Sequence, residues 1–263
     1  LPVVLQCALQ PLYIIIITTM ASLSTKQLDQ TDNEFKLAGY PKSRYFVVGY
    51  CLGADDHLDL AIASFKRGAD ENGCVLCMFF YLRHQYERGN LHLVIPYAFE
   101  GSIRWHTPCM NYLVDCYFKS NPELAGALAD SWIKTLIEFG DFGDSTSNNE
   151  ERKEIKKRNA NTCTICGKEE SKDVTFEKCG ICKYYSYCGK DCQSYHWREG
   201  KHMSECRQVI ILRKYCKPSY IKEIRDAIMG GEDPKEIHRL QRLRMKLGLN
   251  RPKEEYEELL RSL

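Results

Sequence analysis

Residues 163–206 run CTICGKEESKDVTFEKCGICKYYSYCGKDCQSYHWREGKHMSEC and hold seven cysteines, with His202 four residues before the last of them. The spacing is Cys163-x2-Cys166, Cys179-x2-Cys182, Cys188-x3-Cys192 and His202-x3-Cys206. Structural zinc is four-coordinate and takes cysteine sulfur and histidine nitrogen, so eight such groups make two complete sites. A tight C-x2-C turn lets both thiols reach one ion, and Gly167 and Gly180 are expected to relax those turns. Filled coordination leaves no position for substrate or water, which predicts two structural Zn2+ ions and no catalytic one. Disulfides account for the segment less well: seven thiols do not pair among themselves, and the histidine would have no role. A segment this short and polar has little core, so metal binding, about 10–16 kcal/mol per structural site, is expected to drive its folding.

The quoted stretch resembles a MYND-type zinc finger. The resemblance rests on the four ligand pairs in order, Tyr187 before Cys188, Gln193 directly after Cys192, Trp197, and the closing His202-x3-Cys206. It implies interleaved ligands, with one ion on Cys163, Cys166, Cys188 and Cys192 and the other on Cys179, Cys182, His202 and Cys206. His196 lacks the x3-Cys partner and is not chosen as a ligand. Twelve residues separate Cys166 from Cys179 and four separate Trp197 from His202, both long for the family. A RING finger also cross-braces two ions, but its histidine lies mid-motif. A single helix from Lys190 to Cys206 is expected to close the second site. The resemblance also implies a module that docks short proline-containing motifs. An extended proline-rich peptide is pre-organised and suits an aromatic shelf with an amide donor, for which Tyr184, Tyr185, Gln193 and Trp197 are the candidates.

Around the finger, the chain has 263 residues, 44% hydrophobic and 27% charged, with a formal charge of +2. That composition fits one or two folded domains and excludes collagen-like, mucin-like and wholly disordered chains. Near-neutrality argues against a dedicated nucleic-acid binder. Residues 1–19 are apolar but carry no leading basic residue, and Pro2, Gln6, Gln10 and Pro11 interrupt them, so neither a signal peptide nor a membrane span of about 20 residues is expected. Met20 is read as the start, and residues 1–43 as a disordered or non-native arm. Free thiols in this number predict a reducing compartment, cytosol or nucleus.

Residues 44–139 show helical periodicity. Leu58, Ala61, Ile62 and Phe65 share a face, Gly68 to Gly73 is expected to turn, and a second helix carries Cys74, Cys77, Phe80 and Tyr81 toward Gly89. A shift of 32 residues places Phe65 on Tyr97, Ala69 on Gly101, Cys77 on Cys109 and Tyr81 on Leu113, with Trp105 where the first copy has a turn glycine. The pattern resembles Sel-one-like repeats, relatives of the tetratricopeptide repeat, which implies stacked helical hairpins. A helix through Leu128, Trp132 and Leu136 is expected to close the array. Cys74 and Cys77 form a C-x2-C pair, but no second pair or histidine stands at ligand spacing. They are therefore assigned to the core with Cys51, Cys109 and Cys116.

Residues 140–160 form a polar, charged linker. The tail, 207–263, carries 14 Lys and Arg against 9 Asp and Glu, a net of +5. It is expected to form helices docked on the finger, one of them starting at Asp233-Pro234 with Ile237, Leu240, Leu243 and Leu247 as its stripe. The fold class is therefore mainly α: helical-repeat hairpins, a small cross-braced two-zinc finger over 161–206, and a helical basic tail. The expected role is a zinc-binding adaptor that binds proteins with proline-containing motifs and takes no small-molecule substrate. Two alternatives are weighed. A lysine methyltransferase fragment of the kind that carries such a finger would need a glycine-containing cofactor strand and an Asn-His pair beside a tyrosine, and neither is found. A nucleic-acid-binding zinc protein would use the basic tail.

Overall fold

The computed structural model describes residues 39–120, 122–138, 157, 161–171, 175–200, 202–250, 252 and 254–255. Most of the expected arm and linker lie outside these residues. Among these described residues six helices come first: α1 (Arg44–Ala54), α2 (Leu58–Asn72), α3 (Val75–Glu87), α4 (Leu91–Ser102), α5 (Thr107–Ser120) and α6 (Pro122–Glu138). Each packs on the one before it, forming an antiparallel stack. The Ser43 side chain caps α1 by accepting from the Phe46 amide, satisfying one of the donors a helix start leaves unpaired.

The turn expected over residues 68–73 is shorter. Gly68 is helical, and only Gly73, with φ +61°, leaves α2, its amide bonding back to the Gly68 carbonyl. Trp105 takes the same left-handed region in the next hairpin (φ +64°), a conformation that costs a side chain more than glycine. The Arg225 guanidinium lies 5.3 Å from the Trp105 ring centroid.

Gly68 and Gly101 do equivalent work. A Cβ on Gly101 would lie 2.7 Å from Cys109 Cβ, and one on Gly68 would lie 2.8 Å from Tyr45 Cβ and press on Cys77 Sγ. Small residues at these points let neighbouring helices approach closely. Gly68, not the Ala69 that a shift of 32 sets against Gly101, is thus the packing counterpart of Gly101: Gly68 stands nine positions before Cys77, and Gly101 eight positions before Cys109. Cys51, Cys74, Cys77, Cys109 and Cys116 are all buried, as expected.

Beyond the stack, β1 (Glu177–Lys178) pairs antiparallel with β2 (Ser186–Tyr187), followed by α7 (Lys190–Arg198), α8 (His202–Tyr215), α9 (Pro218–Met229) and α10 (His238–Leu247). The single helix expected from Lys190 to Cys206 is two. Amides of Glu199 and Gly200 both turn back to the Tyr195 carbonyl, and a Cβ on Gly200 would lie 2.9 Å from the His196 carbonyl oxygen. α8 runs past Cys206 without a break and packs against α6.

The helix expected at Asp233 starts later, at His238. Asp233 instead closes a turn, its carboxylate accepting from the Lys235 amide at 2.9 Å. The tail also reaches further than the finger. Arg244 Nε donates to Glu100 Oε1 at 2.8 Å, while Arg104 Nη1 donates to Glu100 Oε2 at 2.5 Å. Burial alone would raise the Glu100 carboxyl, but the two guanidiniums hold it below its ordinary value. Ile221, Ile224, Ile228, Ile237, Leu240 and Leu243 are buried in the same apolar cluster as the stack and the finger. Among the described residues, no helix is long and apolar enough to cross a membrane.

Candidate metal centre

The finger's first turn closes when the Gly167 amide donates to the Cys163 carbonyl at 2.9 Å, with Gly167 at φ +70°. In the second turn the equivalent bond runs from Lys183 to Cys179, at 3.0 Å, and it is Lys183 that takes positive φ, +60°. Gly180 is not among the left-handed residues, so the relief expected of it falls to Lys183 instead. The hairpin β1–β2 ties these turns together: Thr164 N donates to Ser186 O at 3.0 Å and Cys179 N to Tyr185 O at 2.9 Å.

This framework assembles two sets of side chains. Cys163, Cys166, Cys188 and Cys192 form one; Cys179, Cys182, His202 and Cys206 form the other, and within each set the ligand atoms all lie within 4.8 Å of one another. The Cys166–Cys188, Cys188–Cys192 and Cys179–Cys206 sulfurs are 3.6 Å apart. Tetrahedral zinc with Zn–S near 2.3 Å places its sulfurs about 3.8 Å apart, so the spacing fits that ion. His202 Nε2 faces its partners at 3.0 Å from Cys206, 3.4 Å from Cys179 and 3.7 Å from Cys182. The cross-braced partition implied by the family resemblance is the one the fold brings together.

The two sets differ in environment. The second is wholly buried; in the first only Cys163 is buried and Cys166 is exposed. Burial would raise the Cys163 thiol, but amides of Cys166, Cys188 and Ile165 bring it down to about 6. In the second set, hydrogen bonds from the Cys182 and Cys206 thiols pull the Cys179 sulfur toward the thiolate that a zinc ligand must be.

His196, the rejected ligand, stands behind the second set. It is 2% exposed, its ring stacks on His202 with centroids 4.6 Å apart, and its Nδ1 lies 2.9 Å from the Tyr187 hydroxyl. Glu205, to which the sequence analysis assigns no role, ties the site to the helical stack. Its Oε2 lies 2.9 Å from His202 Nδ1, while Oε1 accepts from the amides of Ala127 (2.7 Å) and Leu128 (3.3 Å) and from the Tyr185 hydroxyl (3.2 Å). The signal was present: on a helix, a carboxylate three residues after a ligand histidine shares its face.

The expected docking residues divide. Tyr185 is 1% exposed, its ring edge-on to His196 and His202 and its hydroxyl on Glu205. Tyr184 is also buried, against α6, so closely that a Cβ on Gly126 would lie 2.6 Å from Tyr184 Cε1. Neither forms an open shelf; both join the finger to the helical stack. Gln193 and Trp197 are half-buried, four residues apart on α7 and hence on one face.

The family model described as the MYND finger matches residues 163–206. No curated protein and no solved structure matches the chain. This region is thus a MYND finger with two Cys/His clusters, each able to hold zinc, and such fingers belong to a family of protein-interaction domains.

Proposed function

We propose that the protein is a non-catalytic adaptor of a reducing compartment, cytosol or nucleus. Its finger docks a proline-containing peptide across Gln193 and Trp197, and its helical stack, which we take as Sel-one-like, presents a second partner surface. The observation that carries this reading is the pairing on α7 of a part-exposed amide and a part-exposed indole, the Trp197 ring edge-on to the ligand His202 at 5.9 Å. Zinc binding would hold His202, and with it the floor beneath Trp197. An extended peptide with its prolines on the indole and a carbonyl accepting from Gln193 satisfies both groups. The basic tail gives little support to nucleic-acid binding, because Arg213 donates to the Ile181 and Cys182 carbonyls and Arg244 to Glu100.

The test is peptide binding by the zinc-loaded full chain against an array of proline-containing decamers. A binding peptide whose affinity drops at least about tenfold with Trp197→Ala, zinc content unchanged, supports the reading. Equal binding by both proteins refutes the site. A salt-dependent mobility shift on random DNA would favour the nucleic-acid alternative.

A further inference from the structure

Cys74 and Cys77 lie outside both ligand clusters, in the first turn of α3. Cys74 is the N-cap, with extended backbone (φ −66°, ψ +117°), and Cys77 follows one turn inside the helix. Amides in a helix's first turn lack intrahelical acceptors and favour a thiolate. Cys74 Sγ lies 3.9 Å from the Pro41 carbonyl oxygen, and the Ser43 hydroxyl lies 3.4 Å from Cys77 Sγ. Cys74 borders a crevice of about 230 Å³ between the chain at Tyr40 to Ser43, the α2–α3 turn and the tail loop at Asp233 and Pro234. Cys77 sits behind it with no exposure.

These two differ from the other buried cysteines outside the finger. Burial pushes the thiols of Cys51, Cys109, Cys116 and Cys216 up. The neighbouring Cys77 thiol, with help from Ser43, instead brings Cys74 down to about 6 against burial. Burial, and next to it the Cys74 sulfur, push the Cys77 thiol up, so Cys77 keeps its proton.

We propose that Cys74 and Cys77 are a reversible dithiol–disulfide pair, oxidised by hydrogen peroxide that enters this crevice. The Cys74 thiolate attacks one peroxide oxygen. An S–O bond forms, the O–O bond breaks, and the departing hydroxide takes a proton from solvent to become water. Cys77 sulfur then attacks Cys74 sulfur; the S–S bond forms, the S–O bond breaks, and the hydroxide released takes the Cys77 proton. The two sulfurs together lose two electrons, and peroxide is reduced to two waters. Side chains at i and i+3 of a helix have Cβ atoms about 5–6 Å apart, whereas a disulfide needs about 3.5–4.5 Å. Cys74 can make up this difference because its backbone lies outside the helix.

The zinc-loaded full chain is exposed to one equivalent of peroxide, quenched, unfolded, alkylated and digested with trypsin. Cleavage after Arg67 and Arg83 releases residues 68–83, in which Cys74 and Cys77 are the only cysteines. The expected peptide is lighter by two hydrogens, resists alkylation and reverts on reduction, while both zinc equivalents stay bound. Cys77→Ser is expected to stop at a sulfenic acid on Cys74 that dimedone captures. A wild-type peptide that still takes two alkyl groups overturns the proposal, as does one whose disulfide forms only in step with zinc release. The wild-type readout decides the matter even if the variant does not fold.

Discussion

Glu205 Oε2 lies 2.9 Å from His202 Nδ1, leaving Nε2 of the same ring to face three cysteine sulfurs, while the other Glu205 oxygen accepts two amides from α6. One buried carboxylate thus orients a metal ligand and fastens the finger to the helical stack. Losing such a partner of a ligand histidine costs about 10–100-fold in metal affinity. Glu205→Ala is expected to weaken one of the two zinc equivalents by that factor and leave the other unchanged. Competition with a graded series of chelators measures both, and two unaltered affinities would show that the contact is incidental.

Zinc itself is expected at two equivalents per chain by elemental analysis. Cys163→Ser should cut that to one, because its ligand set is separate from the buried one. Stripping the buried site should also expose Tyr184 and Tyr185, which lie between the second cluster and α6. Their fluorescence and near-ultraviolet dichroism would then change more on full chelation than in Cys163→Ser. Identical spectra with and without metal would mean that the finger holds its shape unaided.

Gly101 and Gly180 make a matched contrast. Gly101→Ala would drive a Cβ into Cys109 and is expected to cost about 1–3 kcal/mol in denaturant unfolding. Gly180→Ala meets no atom within 4 Å and needs no left-handed backbone, so a change within about 0.5 kcal/mol is expected. The order of these two effects, more than either size, tests the packing described for the stack.

Burial lowers the His106 imidazole to about 3. The ring lies against Tyr40 and Phe79, with Nδ1 3.1 Å from Cys109 Sγ. An unfolded histidine titrates near 6.5, so between these values the unfolded chain binds the extra proton and stability rises with pH. The contribution is complete above about pH 6.5 and amounts to a loss of about 2 kcal/mol by about pH 5. The stability gap between wild type and His106→Gln should therefore narrow as the pH falls over that interval. Comparing two proteins cancels the zinc release that acid also causes; a constant gap would contradict neutral burial.

The ligand set was legible in the chain because coordination number and turn length are local constraints. Seven thiols and a histidine at those spacings satisfy two tetrahedral ions, and few other arrangements use them all. Helical periodicity before residue 139 was legible for the same reason. Helix boundaries were less so: Gly68 looked like a turn residue and is a packing residue, and Asp233-Pro234 looked like a helix start and is a turn. A glycine's local preferences are alike in both settings, and only the helix across from it decides which applies.

Burial was the part that needed three dimensions. Tyr184 and Tyr185 are aromatic residues beside a zinc ligand, equally suited to a peptide shelf or to an internal joint, and α6 lying over them makes them the joint. Glu205, Arg244 and Glu100 find partners 77 to 144 residues away in sequence, which no local pattern encodes. What holds the metals was therefore written in neighbouring residues. Which of these side chains stay exposed was settled when distant segments met, since exclusion from water belongs to the packed chain and to no residue alone.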